Sequence, residues 1–322
     1  MGMAVDAPAP QVRSGSERSF AVACAAAVVF LAIAPFVLYP VFLMQALCFA
    51  LFACAFNLLI GYAGLLSFGH AMFFGWASYL SANAAKHWGF PPEAAVLFAT
   101  ICSAVLGVVA GGIAIRRQGI YFAMITLALA QMMYFVALRV PFTGGEDGIQ
   151  NVPRGRLFGV FDLSNEMTMY AFVLIVVLAG FLFIYRIVNS PFGEVLKAIR
   201  ENELRAISLG YMTDRYKLLA FVLSATLAGL AGALKTLVFH LASLTDVYWT
   251  MSGEVVLMTL VGGLGTLFGP VVGAFLIVAL ENYLAQLGQW VLVIQGSIFV
   301  VCVLVFRRGI IGELGNALRV KL

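Results

Sequence analysis

Residues 41–60 read VFLMQALCFALFACAFNLLI, twenty consecutive positions without a charged side chain. A helix of this length rises ~30 Å, the thickness of the hydrocarbon core of a bilayer. Comparable apolar runs recur along the whole chain, which is 63% hydrophobic and 11% charged, whereas a soluble domain carries about 25% charged residues. The sequence therefore predicts an all-α, polytopic helical membrane protein with about 8–10 transmembrane helices.

Apolar runs of sufficient length place the membrane crossings. The predicted spans are 20–38, 41–60, 62–84, 94–115, 119–138, 168–187, 217–240, 253–264, 268–286 and 288–306. The segment 253–264 is too short for a regular span. We expect it to be a broken or re-entrant helix, which is tolerated at membrane depth when protein or a water-filled cavity surrounds it. A tilted or buried structural helix is the alternative.

The chain divides into a polar start, one membrane domain and a short tail. Residues 1–18 are polar and are predicted to be disordered, 19–310 form a single transmembrane domain, and 311–322 form the tail. The apolar run that begins this domain is long for a secretory signal, so we expect a retained span, with a cleaved signal as the alternative. Basic residues near span ends place both termini and the stretch 190–212 in the cytoplasm, and the loop 140–167 outside.

Several function classes have no support in the sequence. No basic stripe on a soluble face indicates nucleic-acid binding. No metal-ligand spacing occurs among the three histidines or the five cysteines, which fall in apolar runs and are expected to be buried thiols: Cys24, Cys48, Cys54, Cys102 and Cys302. Clustered acids or a nucleophile with a base, the marks of an enzyme, are not found, so we predict no catalytic residues, no metal and no bound cofactor.

The chain also lacks a phosphate-binding loop for ATP. None of its five lysines follows a glycine, so the GxxxxGK[ST] pattern that cradles nucleotide phosphates is missing. Any ATP hydrolysis coupled to this protein must therefore occur on another polypeptide.

Residues 190–217, SPFGEVLKAIRENELRAISLGYMTDRYK, interrupt the apolar pattern with nine charged side chains. Ser190 is suited to cap a helix whose first position is Pro191, and Gly210 is suited to stop it. Between them, apolar residues at helical spacing share one face: Phe192, Val195, Leu196, Ile199 and Ala206. The pattern predicts one short amphipathic helix.

The opposite face of this helix carries charges of both signs: Glu194, Lys197, Glu201 and Arg205. Glu201 and Arg205 have the i,i+4 spacing of a favourable pair. A helix that lies on lipid shows a mostly basic polar face, so the mixed charge favours a protein partner or plain solvation.

Two glycine-containing stretches supply further candidates. In GYAGLLSFGHAMFFGWASY (61–79), Ser67 and His70 are polar side chains expected at membrane depth, and we expect His70 to hydrogen-bond a neighbouring helix rather than bind a metal or ligand. In TGGEDGIQNVP (143–153), Gly144 and Gly145 indicate a defined turn, or a contact for an outside partner or the substrate mouth.

Glycines later in the chain have the spacing of a packing face. Gly265, Gly269 and Gly273 recur every four residues, which favours close helix packing. Four ionisable residues lie in or beside predicted spans: Lys235, Asp246, Glu254 and Glu281. Lys235 is expected to reach the interface along its own alkyl chain, and the acids are weak candidates for ion coupling.

Four blocks of sequence, in order, resemble one known family. They are NLLIGYAGLLSFGHAMFFG, TGGEDGI, LKAIRENELRAISLGYMTDRYKLLAFVLSATLAGLAGAL and TMSGEVVLMTLVGGLGTLFGPVVGA. Between about Asn57 and Gly312 the chain resembles the membrane permease subunits of branched-chain amino acid ABC importers, specifically the LivM type.

The resemblance implies a multi-pass permease of the bacterial inner membrane that moves Leu, Ile, Val or a related small amino acid or amide inward. It implies a second homologous permease, two cytoplasmic ATP-binding subunits and an extracytoplasmic substrate-binding protein as partners. The family segment that matches 193–212 engages the ATPase, a role carried onto Glu201, Asn202, Arg205 and Gly210. Candidates for the translocation path are Asn57, Ser67, His70, Gly144, Gly145, Gly262 and Gly263.

Two positions depart from the family pattern. Leu65 stands where Gln is usual, and Tyr248 stands where His is frequent. A substrate other than Leu, Ile or Val is implied if either touches it. The alternative function is an ion-coupled secondary transporter or channel that works without ATPase subunits.

Overall fold

The computed structural model describes residue 29 and residues 31–36, 38–284, 290–305 and 309–318. Helices make up nearly all of the regular structure in these ranges, so the prediction of an all-α, polytopic helical membrane protein is confirmed. Residues 1–18, most of the predicted span 20–38 and the last four residues lie outside the described part.

The helices are numbered in chain order: α1 (Pro40–Asn57), α2 (His70–Lys86), α3 (Pro92–Ala114), α4 (Ile120–Arg139), α5 (Glu166–Val188), α6 (Pro191–Glu201), α7 (Glu203–Ser208), α8 (Thr213–Phe239), α9 (Trp249–Gly262), α10 (Gly269–Leu284), α11 (Trp290–Val305) and α12 (Gly309–Leu318). A π-helical turn over Leu58–Ala63 extends α1. The strands are β1 (Ile149–Gln150), β2 (Arg156–Leu157), β3 (Phe161–Asp162) and β4 (Leu241–Ala242), and β1–β4 and β2–β3 pair antiparallel.

Within the described part, five helices are long and apolar enough to cross a membrane: Pro40–Ala63, α3, α4, α5 and α8. The helix α1 lies at the centre of the bundle, where residues 46–59 are all buried against α5, α8, α9 and α10. A helix enclosed on all sides must be apolar all round, which explains why this stretch has no charge.

Small residues bring the remaining helices together. Gly107 of α3 lies against Ala225 of α8, where an added Cβ would approach to 2.8 Å. Gly229 of α8 lies against Ser103 of α3, and Gly232 lies against the carbonyl oxygen of Phe74 in α2. Close backbone approach of this kind gives van der Waals contact, which drives helix association in lipid.

The bundle has two ends, which we name by their contents. The charged end carries α6 and α7 and the connections at 64–69, 115–119 and 263–268. The hairpin end carries residues 140–165 with β1, β2 and β3, and Lys86 Nζ donates there to the carbonyl oxygen of Gln150 at 2.7 Å.

The predicted span 62–84 starts too early. Gly64 ends the π-helical turn with φ +73°, a conformation that glycine adopts without strain, and 64–69 are non-helical before α2 begins. The Ala71 N–H of α2 then donates to Ser252 Oγ of α9 at 2.9 Å. Since Ala71 lies about 22 Å along α2 from Lys86, α9 begins deep inside the bundle.

The expected short segment at 253–264 is the helix α9, of 14 residues. It is about 21 Å long, too short to cross the hydrocarbon core. The chain before it descends into the protein, because Gly75 in α2 lies against Asp246 and Val247. One face of the short helix is therefore packed inside the protein, where Ser252, Val255 and Met258 are buried.

Candidate functional site

The helix α6 leaves α5 through a tight turn at the charged end. Ser190 Oγ accepts a hydrogen bond from the Gly193 N–H at 3.4 Å, and Pro191 occupies the first helical position, as the sequence predicted. Gly193 lies against the carbonyl oxygens of Ile187 and Val188, where a Cβ would overlap both. The absence of a side chain here therefore fixes the angle between α5 and α6.

Asn202 divides the predicted single helix in two. Its backbone is extended at φ −158° and ψ 99°, and its Oδ1 accepts from the Arg205 N–H at 3.0 Å, which caps α7. Glu201 ends α6 while Arg205 lies in α7, and no ion pair joins these two described residues. The predictions of one helix over 190–212 and of this pair are wrong, because the asparagine cap competes with continued helix.

Gly210, the predicted stop, follows the end of α7 with φ +90°. Its N–H donates to the carbonyl oxygen of Ile207 at 2.9 Å. This geometry is typical of a helix terminus closed by glycine, so the sequence identified the position correctly.

Partly buried contacts tie α6 and α7 to the start of α8. The Glu203 carboxylate of α7 accepts from Lys217 Nζ at 2.5 Å and from Thr213 Oγ1 at 3.2 Å. The Phe192 ring of α6 stacks on Tyr216 of α8 at 5.7 Å between centroids. A displacement of either short helix therefore reaches a membrane-spanning helix directly.

The outer side of α7 and the residues that follow it carry exposed apolar side chains, which we name the α7 patch. Its members are Leu204, Ile207, Leu209, Tyr211 and Met212, exposed by 77%, 50%, 70%, 40% and 60%. Glu201 and Arg205, both exposed, lie beside it. A contiguous exposed apolar surface with a polar rim marks an interaction site. Sequence reasoning named the charged neighbours and missed the apolar residues, although their position off the buried helical face was a usable signal.

A cavity of about 460 Å³ adjoins α6 on the inner side. It is lined by Gly61, Tyr62, Lys197, Arg200, Glu201 and Gly265. The Arg200 guanidinium donates through Nη1 to the carbonyl oxygen of Gly61 in the π-helical turn. Arg200 thus connects the charged segment to the end of the central helix.

Asn57, a predicted path residue, joins α1 to the connection between α9 and α10. Its Nδ2 donates to the carbonyl oxygen of Thr266 at 2.8 Å, and its Oδ1 accepts from the Gly265 N–H at 2.9 Å. Both functions of the amide are used, and the side chain is 3% exposed. Asn57 therefore holds the end of α1 to the connection between α9 and α10.

Gly262 and Gly263 lie next to the residues that Asn57 binds. Gly262 contacts the carbonyl oxygen of Gly269, and Gly273 contacts that of Met258, so α9 and α10 pack backbone to backbone. The predicted small-residue face holds for Gly269 and Gly273. It is wrong for Gly265, which lies in the connection with φ +75°, because α10 begins only at Gly269.

His70 is enclosed in the bundle and hydrogen-bonds a neighbouring helix, as expected. The Ser224 hydroxyl donates to the carbonyl oxygen of Ala55 at 2.5 Å, so it accepts from His70 Nε2–H at 2.8 Å. The rings of Phe56 and Phe73 meet the imidazole edge to face at 5.0 and 5.9 Å. This arrangement fixes the proton on Nε2 and joins α1, α2 and α8.

Backbone amides at the start of α2 donate hydrogen bonds to two further helices. The Phe68 N–H donates to Thr126 Oγ1 of α4 at 3.2 Å, Ser67 Oγ accepts from the Gly69 N–H at 3.2 Å, and Ser252 of α9 accepts from Ala71 N–H. Hydroxyl side chains thus satisfy amides that a helix start leaves unpaired. Thr126, Ser224 and Ser252 were missed from the sequence, where each is a single hydroxyl in an apolar helix.

Lys235 is paired inside the protein. Its Nζ donates to both carboxylate oxygens of Asp246 at 2.7 Å, and Asp246 Oδ2 also accepts from the Ser243 N–H at 3.3 Å. Asp246 is 1% exposed. The expectation that Lys235 reaches the interface is wrong, because the descending segment before α9 brings a carboxylate to it.

Gly144 and Gly145 lie at the hairpin end, away from the other predicted path residues. Their φ values are +76° and +62°, and a Cβ on Gly144 would overlap the carbonyl oxygen of Gly148, so they form a backbone turn. Arg154 fixes the same loop by donating to the carbonyl oxygens of Leu237 and Val238 at 3.1 and 2.9 Å. Burial of this guanidinium lowers the pKa of Arg154 below its ordinary value.

Among the described residues, no group of three His, Cys, Asp or Glu side chains could hold a metal ion. The predicted residues form three separate groups: Glu201, Asn202, Arg205 and Gly210 at the charged surface; Asn57, Ser67, His70, Gly262 and Gly263 in the interior; and Gly144 and Gly145 at the hairpin end. Arg200 and Asn57 connect the first group to the second.

Comparison with known proteins gives a consistent result. The family model described as branched-chain amino acid transport system, permease component, matches residues 38–303. The chain is 26% identical over 288 residues to the high-affinity branched-chain amino acid transport system permease protein LivM of Salmonella typhimurium strain LT2, covering 82% of this chain and 68% of that protein. LivM of Escherichia coli strain K12 is 25% identical with the same coverage.

A more distant similarity reaches a different named transporter. The ribose import permease protein RbsC of Bacillus subtilis strain 168 is 30% identical over 196 residues, which is 56% of this chain and 58% of that protein. No solved structure gives a significant match.

Proposed function

Because the chain belongs to the family of branched-chain amino acid transport permease components, we propose that it is the permease subunit of an ATP-driven importer. Its substrate is Leu, Ile, Val or a related small amino acid or amide, carried inward across the bacterial inner membrane. It works with a second homologous permease, two cytoplasmic ATP-binding subunits and an extracytoplasmic binding protein. The relatives named LivM support the substrate class.

The observation that carries this proposal is the α7 patch. Glu201 and Arg205 lie beside the α7 patch, and charged side chains are costly to place in lipid. The patch is therefore exposed to water, and an apolar surface of this kind is typically buried by a protein partner. The chain has no phosphate-binding loop of its own, so the energy of ATP must arrive through such a contact. We therefore assign the α7 patch to an ATP-binding subunit and the charged end to the cytoplasm. Its arginines agree with the positive-inside rule.

The contacts of α6 give a route for the coupling. When the ATP-binding subunits close, α6 and α7 move together, and Arg200 transmits the motion to Gly61 at the end of α1. The α9–α10 connection follows, because Asn57 binds Gly265 and Thr266. The interior helices thereby change their packing while the outer loop stays fixed on α8 by Arg154.

We place the substrate route beside the non-helical start of α2. A cavity of about 450 Å³ lies there, lined by glycines and apolar side chains. Its lining residues are Gly64, Leu65, Leu66, Phe68, Gly119, Ile120, Phe122, Ala123, Met124 and Leu127. The aliphatic side chain of a Leu, Ile or Val substrate suits such an apolar lining. Leu65, which departs from the family pattern, is part of this lining.

Reconstitution in liposomes tests the function. The chain, a sister permease, the ATP-binding subunits and the binding protein are combined, and uptake of labelled leucine is measured with ATP inside. We expect uptake only in the complete set with hydrolysable ATP. Uptake by the chain alone, driven by a proton or sodium gradient, would contradict the proposal and establish the ion-coupled alternative.

A further inference from the structure

A third cavity at the charged end belongs to none of the sites above. It has a volume of about 220 Å³ and lies between the end of α3 and the start of α8. Its lining residues are Gly111, Gly112, Ile115, Arg116, Asp214, Arg215 and Leu218. The cavity therefore joins charged groups to apolar ones at the level where a membrane ends.

The charged lining is unbalanced. Arg116 and Arg215 are exposed, and the structure records no side-chain hydrogen bond or ion pair for either within the described residues. Asp214, the single acid of the lining, is likewise exposed and unpaired in that part of the chain. Two guanidinium groups against one carboxylate leave a net positive site.

The apolar side of the cavity continues onto the outer face of the bundle. On α3 this face is formed by Val105, Val108, Val109 and Ile113, which are exposed by 60%, 52%, 57% and 52%. Leu219 of α8 is 50% exposed beside it. Such residues on a membrane-spanning helix face lipid, so the cavity opens toward the acyl chains.

Two adjacent glycines shape the cavity. Gly111 lets the helices meet, since a Cβ there would lie 2.8 Å from Leu218 Cδ1 and 2.9 Å from Phe221 Cδ1. Gly112 faces open space, with no atom within 4 Å of an added Cβ. The groove between α3 and α8 thus owes its depth to a missing side chain.

We propose that this cavity binds the headgroup of an anionic phospholipid of the phosphatidylglycerol class. The lipid lies in the cytoplasmic leaflet, a placement that rests on the cytoplasmic orientation proposed for the charged end. The phosphodiester lies between Arg116 and Arg215, which suit it as planar, multidentate donors. Asp214 accepts hydrogen bonds from the glycerol hydroxyls. The acyl chains lie along the outer face of α3. Basic pockets between membrane helices on the cytoplasmic side bind anionic headgroups in this way.

Native mass spectrometry of the purified full chain, with phosphatidylglycerol or phosphatidylethanolamine added, tests the assignment. We expect the parent to retain phosphatidylglycerol preferentially. Arg116→Gln/Arg215→Gln should weaken that binding about thirtyfold, because each arginine near an anionic surface contributes about 1 kcal/mol of attraction. Arg117→Gln, which removes one arginine next to Arg116 but does not line the cavity, should change it little.

Gly112→Leu gives a second, uncharged test. Leucine favours helix over glycine and would fill the groove, so it should lower lipid retention without loss of folding. Equal retention of the two lipids, or equal retention by the double variant and Arg117→Gln, would overturn the proposal. Displacement of the lipid by inorganic phosphate alone would show a simple phosphate site and would also overturn it.

Discussion

The guanidinium group of Arg200 in α6 donates a hydrogen bond to the carbonyl oxygen of Gly61, in the π-helical turn that ends α1. The two residues are 139 positions apart in sequence. One belongs to the charged segment at the surface, and the other lies near the end of the central helix of the bundle. This contact connects the place where a partner is proposed to bind with the place where the helices must rearrange.

Arg200→Ala should uncouple transport from ATP hydrolysis. Loss of a hydrogen bond from a charged donor at this partly exposed site costs about 1 kcal/mol, so the protein should still fold. ATP-dependent uptake should fall severalfold while the ATP-binding subunits still copurify. The measurement is uptake together with ATPase activity in the reconstituted complex.

Lys197→Ala is the matched control for Arg200→Ala. Lys197 is on the same helix, but its Nζ pairs with Glu194 of that helix at 2.8 Å. Its loss should leave uptake near the parent value. If both variants lose uptake equally, the bond from Arg200 to Gly61 is not the coupling contact.

The α7 patch predicts a loss of assembly. Leu204→Asp or Ile207→Asp places a charge in an apolar contact, at a cost of several kcal/mol of binding when desolvated. The ATP-binding subunits should no longer copurify, although the chain inserts normally. Val160→Asp, at an equally exposed apolar residue of the hairpin end, should copurify like the parent. Retained copurification in both patch variants would assign the ATPase contact elsewhere.

Local rules in the sequence predicted much of this fold. The apolar run at 41–60 required a membrane helix, Ser190 and Pro191 correctly began α6, and Gly210 closed the segment after α7. Each of these depends on near neighbours along the chain. Asn202 was the exception within the same segment. An asparagine can lie inside a helix or cap one, and the periodic apolar face of 190–212 favoured a position inside the helix.

Long-range pairing explains what the sequence did not reveal. Lys235 looked like an interfacial lysine, since nothing local showed that Asp246 would descend to meet it. Ser224 and Ser252 gave no local signal that distinguishes them from other hydroxyls in apolar helices. The α7 patch was missed for the opposite reason: its residues look like core positions until the fold leaves them uncovered.

Ser224→Ala should destabilise the bundle through His70. The variant leaves the imidazole Nε2–H buried without an acceptor, which costs about 1–3 kcal/mol. Thr226→Ala on the same helix removes only a bond to its own backbone, from Oγ1 to the carbonyl oxygen of Val222, and should cost less than about 0.5 kcal/mol. Thermal unfolding in detergent measures both, and equal midpoints would show that His70 finds another acceptor.

Lys235→Met should be among the most damaging single changes. It leaves the Asp246 carboxylate buried without its cation, a loss of about 3–5 kcal/mol. Lys235→Met/Asp246→Asn removes both charges and keeps an acceptor for the Ser243 N–H, so it should recover much of the stability. A double-mutant cycle on the unfolding free energy measures the coupling. Additive effects would show that the pair contributes nothing beyond its members.

Gly273→Ala tests the backbone contact between α9 and α10. The added Cβ would overlap the carbonyl oxygen of Met258, and overpacking of this kind costs about 1–3 kcal/mol. Gly253→Ala in α9 is the matched control, because its Cβ meets no atom within 4 Å and alanine gains up to about 1 kcal/mol of helix propensity. The two variants should therefore shift the unfolding midpoint in opposite directions. If Gly273→Ala also raises it, the helices can separate without loss, and the close approach is not what holds α9 inside the bundle.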